Sequence, residues 1–291
     1  MADFAFIPTI WAAEYMLRLK QESVYAQICD LRYTGVINRK GDSVKIWTPG
    51  SVTVGDYVKN TDITSPKEEI PQPIEDTLNI TLQKYFSIFV DDVDIAEGGL
   101  NPQGPYSDEA IWALRDTADQ LVFAQYANAL TANKIYPTVA VTASTILDLI
   151  DEAYERLAVQ KMPLTGLWLT VPPWINHMIH TALAARNTAW GDQVSLNGRV
   201  GAYGGFEIYM TNNVVLTTGA GTSESVGSNV VSKCMYGGQS SIFLAENIPV
   251  QSLETYRPHA KFGNAVKGLH VYGMKVPQSG KRLGYINAWH V

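Results

Sequence analysis

The chain is sparing with charge, has almost no cysteine, and contains no long apolar run. Only 17% of its 291 residues are charged, against roughly a quarter in ordinary soluble domains. Part of its surface is therefore expected to meet partners, although a compact monomer of low charge fits the same number. The formal net charge is -6, so the basic excess needed to neutralise phosphates is missing, which argues against sequence-specific DNA binding. Cysteine is limited to Cys29 and Cys234, far apart and without a Cys-x-x-Cys pair. This fits a reducing compartment or a redox-indifferent protein, with a single bridge left open. No stretch approaches the roughly 18 uninterrupted apolar residues of a membrane helix, and MADFAFIPTIWAAEYMLRLK lacks the basic segment and apolar core of a secretory leader. The chain is expected to be made soluble in a cytoplasm. A P-loop, a GxSxG elbow, a complete GxGxxG and an HExxH are all missing, and GAGTSE at Gly219 fails at the third glycine.

What is present is a hydrophobic share of 46% and enough length to bury roughly three quarters of the unfolded surface. Ile10, Ala13, Leu17, Tyr25 and Ile28 have helical spacing, which predicts a partly helical N-terminal arm. Val36, the RKGD turn at Arg39 to Asp42, and then Val44, Ile46 and Trp47 read as a β-hairpin that continues through SVTVGDYV. From Lys59 to Asp76, Pro66, Pro71 and Pro73 break any ladder and predict an extended solvated loop. Leu78, Ile80, Leu82, Phe86, Ile88 and Val90 then alternate with polar residues, a strand period running to Asp91 over about 45 Å. Ser107 reads as the N-cap of a long helix reaching about Leu130, with Ile111, Leu114, Ala118, Leu121 and Val122 on one stripe and Arg115 and Asp119 paired on the other side. A helix from about Ser144 to Gln160, a strand LWLTV, a helix opened by Pro173 and a short strand in GGFEIYMTNN follow. TTGAGTSESVGSN reads as a flexible loop, and β pattern returns in VQSLETYRP, NAVKGLHVYGMKV and GYINAWHV.

Few residues carry chemistry. His177 and His180 are spaced to share a metal on one helix face, but no third ligand lies at a convincing interval. Asp91, Asp92 and Asp94 are the densest acidic group; they could hold a hard cation, act as paired carboxylates, face a neighbour's Arg or Lys, or be merely solvated. Trp112 and Trp168 sit in apolar patterns, which favours core positions over sugar stacking.

The order of these elements resembles the major capsid protein of tailed double-stranded-DNA bacteriophages, the Hong Kong 97-like fold of α+β class. The phrases that carry the resemblance are FIPTIWAAEYMLRL, GDSVKIWTPGSVTVGDY, LQKYFSIFVDDVDIAE, WLTVPPWI, GGFEIYMTNNV and YRPHAKFGNAVKGLHVYGMKV. Their order spans nearly the whole chain. The resemblance implies an N-arm over 1–33, an extended loop over 34–76, a peripheral domain with a spine helix over 77–136, an axial domain over 137–250, and a return to the peripheral domain over 251–291. It implies a structural role without cofactor or metal: pentamers and hexamers forming an icosahedral shell around DNA in a virion, assembled in the host bacterial cytoplasm. A portal and a possible decoration protein are the implied partners. The family-like start within the first ten residues leaves no room for a fused scaffold, so a separate scaffolding protein is expected. Along the extended loop, Arg39, Lys40, Asp56, Tyr57, Lys59, Lys67, Glu68 and Glu69 are the expected inter-subunit contacts. Some members cross-link a loop lysine to a neighbour's asparagine, and Lys59 sits in the corresponding loop. At the strand end the expected contacts are Asp91, Asp92, Asp94 and Arg257. Two rivals remain: an encapsulin-like nanocompartment shell, and a carbohydrate-acting enzyme whose Asp91, Asp92 and Asp94 would have to line a pocket.

Overall fold

The computed structural model describes residues 22–34, 43–60, 62, 70–93, 103–184, 201–218, 230–248 and 253–289. Three sheets, the smallest a two-stranded pair, and four helices organise them. The larger sheet has seven strands: β4 (Lys134–Ile135), β13 (Leu283–Trp289), β9 (Val230–Gly237), β5 (Leu167–Val171), β7 (Phe206–Met210) and β6 (Ala202–Tyr203) run in that order, with β8 (Leu216–Thr218) also on β9. β5 and β7 are parallel and linked through α4 (Pro173–Ala184), while β9 is antiparallel to β5 and β13. A proline at the first helical position of α4 fits, since its missing N–H would have had no partner there.

β5 and β13 are buried at every position. The cause is cover on both faces, which removes any need for polar alternation. Leu167, Leu169, Val171, Cys234, Tyr236, Ile286 and Ala288 face α4 and α3 (Ile146–Val159), whose Ile150, Ala153, Leu157, Ile175 and Ile179 fill one core. Trp168, Met235, Leu283 and Tyr285 face the opposite way, into a second core with Ala118, Val122 and Phe123 of α2 (Gln103–Phe123). Each fully buried aliphatic or aromatic side chain here contributes about 1.5–3 kcal/mol. Cys29 and Cys234 are both free and buried, one in each core, and burial pushes both thiols well above their usual range. The possible disulfide is thereby removed.

The smaller sheet is built on β12 (Gly263–Lys275), antiparallel to β3 (Leu82–Asp91), β11 (Leu253–Tyr256) and β10 (Phe243–Ile248). The sheets do not follow the segments drawn from the sequence. Residues 243–248, placed in the axial portion, pair in the smaller sheet. Residues 283–289, placed in the return, pair in the larger. The chain thus passes between the sheets twice near its end, and periodicity alone carries no information about which sheet a strand joins.

Other expectations change in detail. The single strand read from Leu78 to Asp91 is two strands: β2 (Ile74–Asn79) pairs with β1 (Ser43–Thr48), and β3 pairs with β12. The break at 80–81 lies where the chain passes over Gly273, whose Cβ would stand 2.2 Å from the Asn79 carbonyl oxygen. Only glycine admits that approach. Ser43–Thr48 pairs with β2, the expected hairpin segment and RKGD turn at 35–42 lie outside the described residues, and the 49–58 stretch is not a strand. Ile46, Leu78 and Ile80 root this pair on Phe243, Ala245 and Val271. α2 is already helical at Gln103, so Ser107 lies inside it, and it tightens to a 3-10 turn over Ala124–Asn128. The N-terminal arm is described only from residue 22, where α1 (Tyr25–Ile28) is a single turn.

Asp119 is the largest revision. Instead of standing on an outer face beside Arg115, it is fully buried. Its Oδ1 accepts the Val24 and Tyr25 amides at 3.1 and 2.7 Å, and its Oδ2 accepts Asn213 Nδ2 at 3.0 Å. One carboxylate of α2 thus serves the orphan amides opening α1, in place of a cap from the arm's own sequence. Burial raises its pKa, the Asn213, Tyr25 and Val24 donors pull it down and Asp116 adds to the rise, leaving it above the usual carboxylate value.

Replacing Asp119 with Ala should cost free subunits about 3 kcal/mol in urea unfolding, because three donors lose a charged acceptor. The pH dependence has a definite sign. With its folded pKa above the unfolded one, the native chain binds the proton more tightly, so the contribution of Asp119 to stability falls as pH rises above about 4. Asp119→Asn should therefore show a more positive slope of unfolding free energy with pH than wild type in that window.

Candidate inter-subunit surface

The pair β1–β2 opens into a long excursion, residues 49–73, whose described positions are exposed except for the half-buried Gly50. Many of these positions are apolar. Val54 is 90% exposed and Trp47, at the root, 65%, with Val52, Tyr57, Val58 and Ile70 also in the open. Asp56 and Lys59 stand exposed among them, and Asn60 turns the chain in the left-handed region with φ 61°, a conformation asparagine tolerates better than most residues.

A second apolar surface lies on the smaller sheet. Register places Leu82, Ile88 and Val90 of β3 on the same face as Val266, His270 and Tyr272 of β12, and Leu82 and Tyr272 pack into the core with α2. The opposite face carries Tyr85, Phe89, Leu269 and Tyr256, with Tyr85 78% exposed. Lys267 crosses this face, 3.1 Å from Glu254 Oε2 and 4.9 Å from the centre of the Tyr256 ring, and Lys261 stands 5.2 Å from that of Phe89. A cavity of about 540 Å³ lies among Tyr85, Phe86, Leu253, Lys267, Gly268 and Leu269. The even and odd positions of β3 thus have separate duties, inward packing and outward display.

At the end of β3, Asp91 Oδ1 accepts the Val93 amide at 2.9 Å. Asp92 is ion-paired with Arg257 of the same chain, on the turn after β11. Two residues picked separately from the sequence are therefore brought together within one subunit. Neither Asp91 nor Asp92 lines the cavities beside the loop root or beside α1. Arg39, Lys40, Lys67, Glu68, Glu69 and Asp94 lie outside the described residues. Among the described residues, no group of three or more His, Cys, Asp or Glu gathers where a metal could sit, so His177 and His180 gain no third ligand there. No described helix is long and apolar enough to cross a membrane. Trp168 is buried, with Nε1 donating to the Gly238 carbonyl at 3.3 Å, and Trp112 is half-buried.

A family profile described as phage capsid protein matches residues 75–285. The chain belongs to the phage capsid protein family. Solved structures carry the same fold along its whole length. A chain from Mycobacterium phage Che8 superposes with a TM-score of 0.79 at 21% identity, covering 98% of each chain. A chain of the cyanophage P-SCSP1u capsid gives 0.76 at 17% identity, covering 99% of this chain and 94% of its own. One from the Ralstonia phage GP4 capsid gives 0.75 at 14%, covering 100% and 98%. No curated protein matches. The fold is thus the tailed-phage capsid fold, and the family's role is structural rather than catalytic.

For this capsid protein, sequence reasoning overlooked Trp47, Val52 and Val54 as contact candidates, because it weighed charged residues above apolar ones. The signal available was composition: valine and tryptophan beside a proline and glycines, next to a segment broken by prolines. Asp92 and Arg257 are both substantially exposed, at 40% and 61%, where an ion pair contributes about 0–1 kcal/mol. Asp92→Lys should therefore lower free-subunit stability by less than about 1 kcal/mol in thermal melts. Adding Arg257→Asp should recover most of that loss, the coupling expected of two residues in contact.

Proposed function

We propose that this chain is the repeating subunit of an icosahedral virion shell, assembling as pentamers and hexamers around double-stranded DNA and performing no catalysis. The observation that carries the reading is the pair of exposed apolar surfaces on one subunit, the 49–73 excursion and the outer face of the β3–β12–β11 sheet. Soluble monomers seldom keep large contiguous apolar patches open to water. Covering the loop of one copy with the sheet face of the next disposes of both, and repetition by symmetry multiplies a weak contact into a stable lattice. Asp56, Tyr57 and Lys59 then belong to the contact, Lys67, Glu68 and Glu69 extend it along the same loop, and Arg39 and Lys40, which precede β1, add to it from the other end of that strand. In this reading Asp91, Asp92, Asp94 and Arg257 border the receiving face.

The low overall charge and the acidic balance fit a wall that must enclose DNA without adhering tightly to it. The helix-covered seven-stranded sheet serves as the axial portion and the β12-centred sheet with α2 as the peripheral one, with β10 and β13 exchanged relative to the sequence-drawn limits. A separate scaffolding protein, a portal and a decoration protein are the partners such a shell would use, and the host cytoplasm is where it would form.

Changing Val54 and Tyr57 together to Ser tests the reading on purified protein. Both side chains are exposed, so free-subunit stability should shift by no more than about 0.5 kcal/mol. The yield of shells in negative-stain micrographs should fall at least roughly tenfold, since a small loss per contact recurs at every subunit. Normal shells from the double variant, or a strictly monomeric wild type at high concentration with scaffolding protein present, would refute it. Nucleic acid rather than a cargo enzyme inside purified shells separates a virion from a cellular compartment.

A further inference from the structure

The two crossings between the sheets, residues 238–242 and 276–282, lie side by side. The Gly238 amide donates to the Arg282 carbonyl at 3.3 Å, and Arg282 Nη1 donates to the Gln239 carbonyl at 3.4 Å. The second crossing holds three successive residues in the left-handed region: Gln278 at φ 53°, Ser279 at φ 52° and Gly280 at φ 73°. Glycine is at ease there, but glutamine and serine are not, and such strain persists only where the surroundings hold it.

Two groups hold this turn, from opposite sides. The Gln278 amide donates to Asp76 Oδ2 at 2.8 Å, and Gln278 Nε2 lies 3.4 Å from Thr48 Oγ1. Asp76 and Thr48 are in β2 and β1 at the root of the 49–73 excursion, and Asp76 Oδ1 is also 3.7 Å from Lys275 Nζ. On the other side, the Leu130 amide donates to the Gly280 carbonyl at 3.2 Å. A Cβ on Gly280 would stand 2.0 Å from the Asn128 carbonyl oxygen, so the turn is seated directly on the segment that follows α2. The backbone between those two attachments is only three residues long, and all three are in the left-handed region.

We propose that the 277–280 turn is a coupler that ties the orientation of the exposed loop to the end of α2 and to the crossing between the sheets. A loop pulled toward a neighbour draws on Asp76. Release of Asp76 frees Gln278 and Ser279 to leave the left-handed region, and the Gly280 carbonyl then leaves Leu130. The coupling is a property of the single subunit and does not depend on the shell reading.

Amide hydrogen exchange on free subunits tests it from both ends. Asp76→Ala should speed exchange of the Leu130 amide about tenfold, with β9 and β13 amides unchanged, although Asp76 is not its partner. In the reverse direction, Leu130→Pro deletes the donor and sets the ring Cδ against the Gly280 carbonyl, which displaces the turn from this side. Leu130 has φ -59° and ψ 136°, and Ala129 before it φ -66° and ψ 142°, all values that proline and its predecessor accept. That variant should speed exchange at Gln278 and along the β1–β2 ladder several-fold, since coupling between sites is reciprocal. Exchange that changes only on the side carrying the substitution, in either variant, overturns the proposal. So does an equal loosening of β9 and β13, which would mean general weakening rather than a linkage.

Discussion

The subunit depends on one constraint, the cover of its seven-stranded sheet on both faces. β5, β9 and β13 have no solvent side, so Leu169 and Trp168, one residue apart, must each find a different core. The α3–α4 layer supplies one. The other is assembled from parts distant in sequence: α1, α2, β10 and the far end of β12 all contribute to the cluster around Trp168 and Tyr285. Because that second core is shared, the two sheets are packed into one body. Asp119 sits at the same place, joining the arm, α2 and Asn213 through a single carboxylate.

With the interior so fully used, the apolar residues left outside acquire meaning. Their distribution is not random. Many of them lie on an excursion from β1–β2 and on the bare face of the smaller sheet, while β5 and β13 of the larger sheet are covered on both sides. Here the carboxylates Asp91 and Asp92 are taken up by the Val93 amide and the Arg257 guanidinium, and Asp30 by Arg32 and Ser240. Membership of the phage capsid family accords with a surface organised for contact.

The root of the excursion is where the interior and exterior of the subunit meet. Ile46 and Leu78 anchor it through packing, and Asp76 anchors it through the Gln278 amide on the turn that also receives Leu130. Packing alone would let the loop pivot as a paddle. The directional hydrogen bonds to a left-handed turn make its angle matter to the segment after α2.

The sequence by itself determined the local elements with a strong period or a strong breaker. α3 and α4, LWLTV, the alternation of β3 and the three C-terminal strands were all legible, because a core-facing stripe or an alternating face leaves its mark within ten residues. The family was legible too, from the order of those elements along nearly the whole chain. Tertiary structure decided everything that depends on which strand meets which. The pairing of β1 with β2 across 25 residues of loop, the break over Gly273, the exchange of β10 and β13 between sheets and the interior position of Asp119 have no local signature. In sequence, an aspartate four residues from an arginine on a helix has the same pattern whether it faces water or caps another segment's amides. Only the arrival of Val24, Tyr25 and Asn213 from 94 or 95 residues away settles which it does. Hydrogen bonding and burial are properties of the assembled neighbourhood, and that neighbourhood exists only once the chain has folded.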